Sequence, residues 1–346
     1  MDYQQAGVDL VNAEEAVRAI SSAVRSTYNT QVLSDIGGFG GLYRLGDEGS
    51  GILVATTDGV GTKTEVARAA GRWEGIGQDL VAMCIDDLVC TGARPLFFLD
   101  YLAVGKNEPS LIATLVTSMA TALHSTNTAL IGGEIAEHPG TMAPDQIDLA
   151  GFAVGLMDPQ AAIGVNRVRV GDRVIGLPSP NLRSNGFSLV RAVYTELLDH
   201  IRGGVASSEE LFRYEQLIEP SVIYAPTVLT LTSNSLLHAA SHSTGGGIVH
   251  NLARVIPDGL SAHIDASTWE WPKVFTDLMH DGEIPLSEMR STFNLGIGMA
   301  LVVDPAHVEA VLSSYPGSIE IGRVGEGTKR AQWSLQLRTL RPHAPS

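Results

Sequence analysis

Ile52-Leu53-Val54-Ala55-Thr56-Thr57-Asp58-Gly59-Val60-Gly61-Thr62-Lys63-Thr64 is the stretch around which the rest of the chain is read. Ile52, Leu53 and Val54 form an apolar run of strand length. Asp58-Gly59 then marks a sharp turn. Gly61 lets the backbone approach a neighbour closely, and Lys63 brings a positive charge to the same place. An acid able to hold a metal, exposed amides and a lysine suit a polyphosphate with Mg²⁺. A solvated turn with a surface lysine is the plainer alternative. The stretch is not a Walker A loop, because Thr62 separates Gly61 from Lys63 and breaks the spacing.

The chain has 346 residues, and a single core rarely grows beyond roughly 250–300, so two domains are expected. With 44% hydrophobic and 18% charged residues it reads as an ordinary globular protein. A formal charge of −15 opposes encounter with a nucleic-acid backbone but leaves a small anionic ligand open, since one cation can dominate a pocket. The only cysteines, Cys84 and Cys90, fall in one predicted helix about 120° apart around its axis. They cannot bridge there, which suits a reducing compartment. No secretory pattern opens the chain and no run approaches ~18 apolar residues, so a cytoplasmic location is expected.

Working outward, Asn12 and Glu15 have capping-box spacing ahead of a helix with Ala16, Ile20 and Val24 on one stripe. Gly37-Gly38-Phe39-Gly40-Gly41 reads first as a tight corner, with close approach to a ligand as the alternative. Gly77 to Ala93 is a mostly apolar helix carrying Asp79, Asp86 and Asp87. The first two lie on nearly one face, about 10 Å apart along the axis. Carboxylates on an otherwise buried helix are costly unless paired or cation-bound, so a metal or catalytic role is expected of them. Strands are predicted at Pro95–Ala103, Thr128–Glu134 and Ile147–Leu156, with a helix over Pro109–Asn127. These place a four-stranded α/β or α+β domain in residues 1–165 and a second domain in 166–346.

The second domain opens with a strand at Asp172–Leu177 and a polar loop from Pro178 to Gly186. That loop precedes a helix over Phe187–His200 and is a candidate anion site. His238 and His242 are four apart but lack the Glu of HExxH, so they read as helix-end histidines rather than zinc ligands. Thr244-Gly245-Gly246-Gly247 is a second candidate phosphate or ligand loop. Ser291-Thr292-Phe293-Asn294 precedes a final strand at Leu295–Val303.

Each polar cluster sits where a strand ends in glycines. Asp58, Asp87 and Glu134 are candidate Mg²⁺ ligands, since Mg²⁺ prefers carboxylates plus substrate phosphates. Lys63 is the candidate neutraliser of phosphate charge. Together they indicate an ATP-dependent enzyme in which positioning and electrostatics carry the rate. No serine elbow and no cysteine–histidine pair suggests a covalent nucleophile, and no GxGxxG opens a helix after the first strand.

These motifs, in this order, resemble the phosphoribosylformylglycinamidine cyclo-ligase (aminoimidazole ribonucleotide synthetase) family over almost the whole chain. The resemblance runs through Ala6–Asp9, Gly37–Gly40, Thr57–Lys63, Asp79–Cys84, Pro95–Tyr101, Gly132–Glu134, Ala150–Phe152, Ser184–Gly186, Thr244–Gly247 and Thr292–Asn294. It implies a homodimer whose N-terminal domains build a shared β-barrel, with an α/β C-terminal domain, and ATP-dependent ring closure in purine biosynthesis. By position it implies ATP contacts from Gly37, Gly38, Phe39, Gly40, Asp58, Thr62, Lys63 and Glu134. Metal ligation falls to Asp58, Asp87 and Glu134, and substrate contacts to Ser184, Asn185, Gly245, Gly246 and Gly247. Asp58, Lys63, Asp87 and Arg183 are the candidate catalytic residues.

The sequence departs from the family at four places. Arg183 stands for the usual His before Ser-Asn-Gly, and Asp86 for the usual Asn before Asp-Leu. Ser21 stands for a common Lys, and Val222 for the Arg of Pro-Thr-Arg. Arginine cannot shuttle a proton as histidine does, although it can bind a phosphate. Such changes would suit a paralogue activating a different, less anionic amide or carboxylate. A non-catalytic nucleotide-binding subunit is the remaining alternative, and the costly acids weigh against it.

Overall fold

The computed structural model describes residues 10–35, 38–47 and 51–334. Gly37 and the motif Ala6–Asp9 lie outside the described residues. The first helix, α1, spans Leu10–Arg25, so Asn12 sits inside it rather than capping it.

Strands β1 (Gly41–Arg44) and β2 (Ile52–Gly59) lead to helices α2 (Lys63–Ala70) and α3 (Ile76–Val89). Then come β3 (Arg94–Val104), α4 (Pro109–His124), β4 (Ala129–Glu137) and β5 (Ile147–Met157). These strands form one five-stranded sheet, ordered β1-β2-β5-β3-β4. Only β3 and β4 run parallel, joined by the α4 crossover that such pairing requires. Val54, Phe98, Leu102, Leu149 and Ala153 alternate with outward residues and bury one face of the sheet under the helices. Gly77 lets α3 and α4 touch, since a Cβ there would lie 2.4 Å from the Leu115 carbonyl oxygen. The other face is open: Tyr101 is 43% and Phe152 42% exposed.

The remaining elements build the second sheet and its helices. They are β6 (Arg173–Pro178), α5 (Phe187–Val193), α6 (Thr195–Gly203), α7 (Ser208–Ile218), α8 (Ala225–Ser233), β7 (Ala239–His242) and α9 (Gly247–Leu252). After them come β8 (Leu260–Ile264), α10 (Lys273–Asp281), α11 (Leu286–Thr292), β9 (Ile297–Val303), α12 (Val308–Ser314), β10 (Ile319–Glu326) and β11 (Ala331–Trp333). The sheet order is β11-β8-β10-β6-β9-β7, and β11–β8 is its parallel pair. Every residue of β9 is buried, which is why it reads as one continuous apolar run. Both sheets are mixed and mainly antiparallel, so the chain is α+β. The α/β class expected for the second half is corrected, because its helices do not link parallel neighbours. The helix expected over Phe187–His200 is two helices that meet at Tyr194. His242 lies on β7 and His238 just before it, not at helix ends.

Two acids of α3 join the halves. Asp79 and Lys63 are wholly buried and 2.7 Å apart. Asp79 Oδ1 also accepts from the backbone N–H of Ser221 at 2.8 Å and from its hydroxyl at 2.5 Å. Two helical turns on, Asp86 Oδ1 accepts from the N–H groups of Tyr224 (2.9 Å) and Ala225 (3.0 Å), at the start of α8. Its Oδ2 accepts from Arg183 Nη2 at 2.7 Å. The segment 221–225 thus hangs from α3 by buried, charge-assisted bonds. Replacing Asp79 by Ala strands the Lys63 ammonium, and a loss of about 3–5 kcal/mol is expected in urea unfolding. Replacing Lys63 by Met together with Asp79 by Leu should recover part of it. A loss under about 1 kcal/mol for the single change would refute the buried pair.

Candidate active site

The seam between the halves gathers the polar residues that remain. Asp58 ends β2, and its register partner Gly151 places its side chain on the α3 side of the sheet. Its Oδ1 accepts from the Gly59 N–H at 2.7 Å. Asp87 follows Asp86 on α3, and its Oδ1 lies 2.7 Å from His242 Nδ1. Burial, then the charge of Asp87, pushes the Asp58 carboxyl up to about 6. Burial pushes Asp87 up to about 7, against the opposing pull of Arg254 and Arg183. Burial, aided by Arg183, drives His242 down to about 3, so its ring is neutral. Two crowded acids with hard oxygen donors and too little positive charge fit a divalent cation.

Glu134 does not join them. It pairs in register with Tyr101, on the open face, whereas Asp58 points to the covered one. The expected triad Asp58–Asp87–Glu134 is therefore not assembled within one chain. Among the described residues, the one three-group cluster with metal-ligand spacing is Asp172–His238–Asp304. There Asp172 Oδ2 is already occupied by His238 Nδ1 (2.7 Å) and the Arg169 N–H (2.8 Å).

Lys63 and Arg183 are also placed differently from expectation. The Lys63 ammonium is sealed between Asp79 and the Glu219 carbonyl (2.8 Å), so in this arrangement it does not reach a phosphate. Arg183 is wholly buried, and besides Asp86 it donates to the Val222 carbonyl. It is neither an exposed phosphate ligand nor a replacement proton shuttle. Asp79 and Asp86 likewise serve the packing of the halves, and of the α3 acids only Asp87, 18% exposed, faces the seam. The departures at Asp86 and Arg183 are thus one matched pair, with the Val222 main-chain carbonyl a further acceptor for Arg183. Nothing in the structure explains Ser21, which bonds back to the Val17 carbonyl.

The glycine loops meet the seam from both sides. The Phe39 ring centroid lies 5.2 Å from the Arg254 guanidinium, tying the first loop to the turn that follows α9. Thr62 Oγ1 lies 3.3 Å from Ser188 Oγ. Gly246 and Gly247 have φ of 97° and 71°, and a Cβ on Gly247 would lie 2.2 Å from the Arg290 carbonyl oxygen. Asn251 ties this loop down through the carbonyls of Thr244, Gly245 and Gly247. Asn185 Oδ1 accepts from the Gly245 N–H at 3.0 Å, so the two expected substrate loops are in contact. Ser184 Oγ has no partner among the described residues. Phe293 packs on Gly186, and Asn294 donates to the Asn181 carbonyl at 3.1 Å, which accounts for the Thr-Phe-Asn motif. Arg254 carries no motif spacing in the sequence, and His242 reads there as a helix-end histidine or, less well, a zinc ligand, so neither was expected at the seam.

Residues 38–157 match the N-terminal domain of AIR synthase related proteins, and 169–334 match the C-terminal domain. The phosphoribosylformylglycinamidine cyclo-ligase of Alkaliphilus oremlandii is 41% identical over 334 residues, covering 95% of this chain and 98% of that protein. The chain belongs to the phosphoribosylformylglycinamidine cyclo-ligase family. The cyclo-ligase of Lachnospira eligens is likewise 41% identical, over 94% of this chain and 99% of that one. Among solved structures, the HypE–HypF complex aligns with a TM-score of 0.63 at 14% identity, over 91% of this chain and 95% of that one. AaThiL complexed with AMPPCP and TMP aligns at 0.59 and 16%, over 91% and 94%. These two share the cyclo-ligase fold.

Because the Asp58 and Asp87 carboxyls are raised, their protonated forms stabilise the ligand-free fold. That contribution is complete below about pH 4 and is lost as pH rises through about 6 to 7. Asp58→Asn should therefore flatten the fall in melting temperature between pH 5 and 7.5 and stabilise the protein at pH 7.5, by on the order of 2 kcal/mol. Thermal unfolding across pH checks this, and an unchanged slope would contradict the crowded pair.

Proposed function

We propose that this chain catalyses the ATP-dependent cyclisation of formylglycinamidine ribonucleotide to aminoimidazole ribonucleotide in purine biosynthesis. The observation that carries the reading is 41% identity, over nearly the full length of both chains, to relatives named for that cyclo-ligase activity. ATP phosphorylates the formyl oxygen, the amidine nitrogen closes the imidazole ring, and phosphate leaves. Residues 1–165 carry nucleotide binding and dimerisation, and 166–346 carry the substrate side. Asp58 and Asp87 would hold Mg²⁺, which would supply positive charge to offset that of the transferring phosphoryl group. Gly38, Phe39, Gly40 and Thr62 lie against the nucleotide, with Gly37 assigned there by the family motif. Ser184, Asn185 and the Gly245–Gly247 backbone orient the formylglycinamidine ribonucleotide. Arg254, which already lowers both acids, supplies fixed positive charge beside the phosphates.

A homodimer accounts for the open face of the first sheet. Tyr101 and Phe152 are exposed on it, and edge strand β4 presents Ile131 and Ile135 at 59% and 42% exposure. Glu134 stands on that face and acts at the nucleotide from the shared barrel. Among the described residues no helix is long and apolar enough to cross a membrane. The setting we propose is the cytoplasm, where the free, buried Cys84 and Cys90 stay reduced. The Arg183 and Asp86 departures no longer favour a paralogue with a less anionic acceptor, because the two charges neutralise each other.

Purified protein with Mg-ATP should release ADP faster when formylglycinamidine ribonucleotide is added, with matching aminoimidazole ribonucleotide. ATP binding without that stimulation would reject the assigned acceptor. Asp58→Asn should abolish turnover, and a near-normal kcat would sink its metal role. Phe152→Asp should convert a dimer to a monomer in light scattering, and a dimer that survives it would place the interface elsewhere.

A further inference from the structure

We propose that Arg183 is a positioning residue that fixes which ring nitrogen of His242 carries the proton, and through that ring orients the Asp87 carboxylate. The proton placement stands on geometry alone, whereas its bearing on turnover rests on the role given to Asp87 above.

The guanidinium is held through both of its terminal nitrogens and one face. The Arg183 N–H donates to Asn181 Oδ1 at 3.0 Å, with the backbone at a left-handed φ of 58°. Its Nη1 meets the Val222 carbonyl, and the Tyr224 ring centroid lies 4.9 Å from its central carbon. Nη2 is left to fork between Asp86 Oδ2 at 2.7 Å and His242 Nε2 at 2.9 Å. A guanidinium has donors and no acceptor. The Nε2 atom facing it must therefore present its lone pair, because an N–H there would point at another N–H. In a neutral ring the proton then sits on Nδ1. That atom is 2.7 Å from Asp87 Oδ1, which accepts.

The result is a chain of bonds with a single sense: Arg183 donates to Asp86 and to His242, and His242 donates to Asp87. His242 is wholly buried and sits on β7 beside β9. Its ring is sealed from bulk solvent. Engaging Oδ1 leaves Oδ2 of Asp87 without this bond and would fix the orientation in which the carboxylate could meet a cation. A lysine at 183 would supply a point charge without the planar fork that reaches both acceptors at once. Arg183 touches no reacting atom in this arrangement and acts two bonds away from it.

Nitrogen NMR of protein labelled in its imidazole rings, at neutral pH, tests the proton position directly. His242 is assigned by the signal missing in His242→Gln. The expected spectrum is a neutral ring with Nδ1 protonated and Nε2 bare. A proton on Nε2, alone or together with one on Nδ1, overturns the proposal. This readout needs no turnover, so it stands or falls separately from the acceptor assigned above. It also decides the matter in the wild-type protein should a variant fail to fold. The paired variant Arg183→Met with Asp86→Asn removes the fork without stranding either charge. It should lower kcat by roughly 10- to 100-fold while KM for ATP and for the acceptor stays within about threefold. A kcat within twofold of wild type would also overturn the proposal.

Discussion

Two carboxylates on one helix hold this protein together. Asp79 and Asp86 lie two turns apart on α3, each wholly buried and each matched by one buried cation. A buried ion pair adds little net stability by itself, because desolvation offsets most of the attraction. What these pairs do is geometric. Each acid spends its second set of lone pairs on backbone N–H groups of residues 221–225, so the second half can seat against α3 in one register. The seam that carries the candidate site is set by that seating.

The site itself is left electrostatically incomplete. Asp87 faces the seam next to two acids that are paired, and with Asp58 it lacks a partner cation of equal proximity. Arg254 offsets the pair only in part, since both carboxyls remain raised. A fold that buries every other acid of α3 in a satisfied pair, yet keeps this one underpaired, holds its affinity for positive charge in reserve at a single point. The glycine loops give the same spot exposed backbone in place of side chains.

Much of this was legible in the chain. Apolar runs located β2, β3, β5 and β9, and of the glycine-flanked acids Asp58 falls at the seam while Glu134 does not. The faces were not legible. Phe98 pairs with Leu130 but Leu99 pairs with Gly132, so β4 carries an extra residue at Ile131. That bulge shifts the alternation by one and turns Glu134 away from Asp58, a switch that no residue pattern announces. Lys63 and Arg183 misled for a different reason. Sequence shows a charge but not its partner, and Arg183 finds Asp86 across 97 residues of chain. The α+β class of the second half was equally hidden, because helices between strands do not reveal whether the next strand returns antiparallel.

The Asp86–Arg183 pair also constrains how this sequence can drift. Changing either residue alone passes through a state with one charge buried and unmatched, at a cost of several kcal/mol against a total stability of roughly 5–15. The two positions are therefore locked by epistasis, tolerant of joint replacement and intolerant of separate steps. A lineage that acquired the pair would tend to keep it, whatever its effect on catalysis, because the route back leads through a markedly less stable protein.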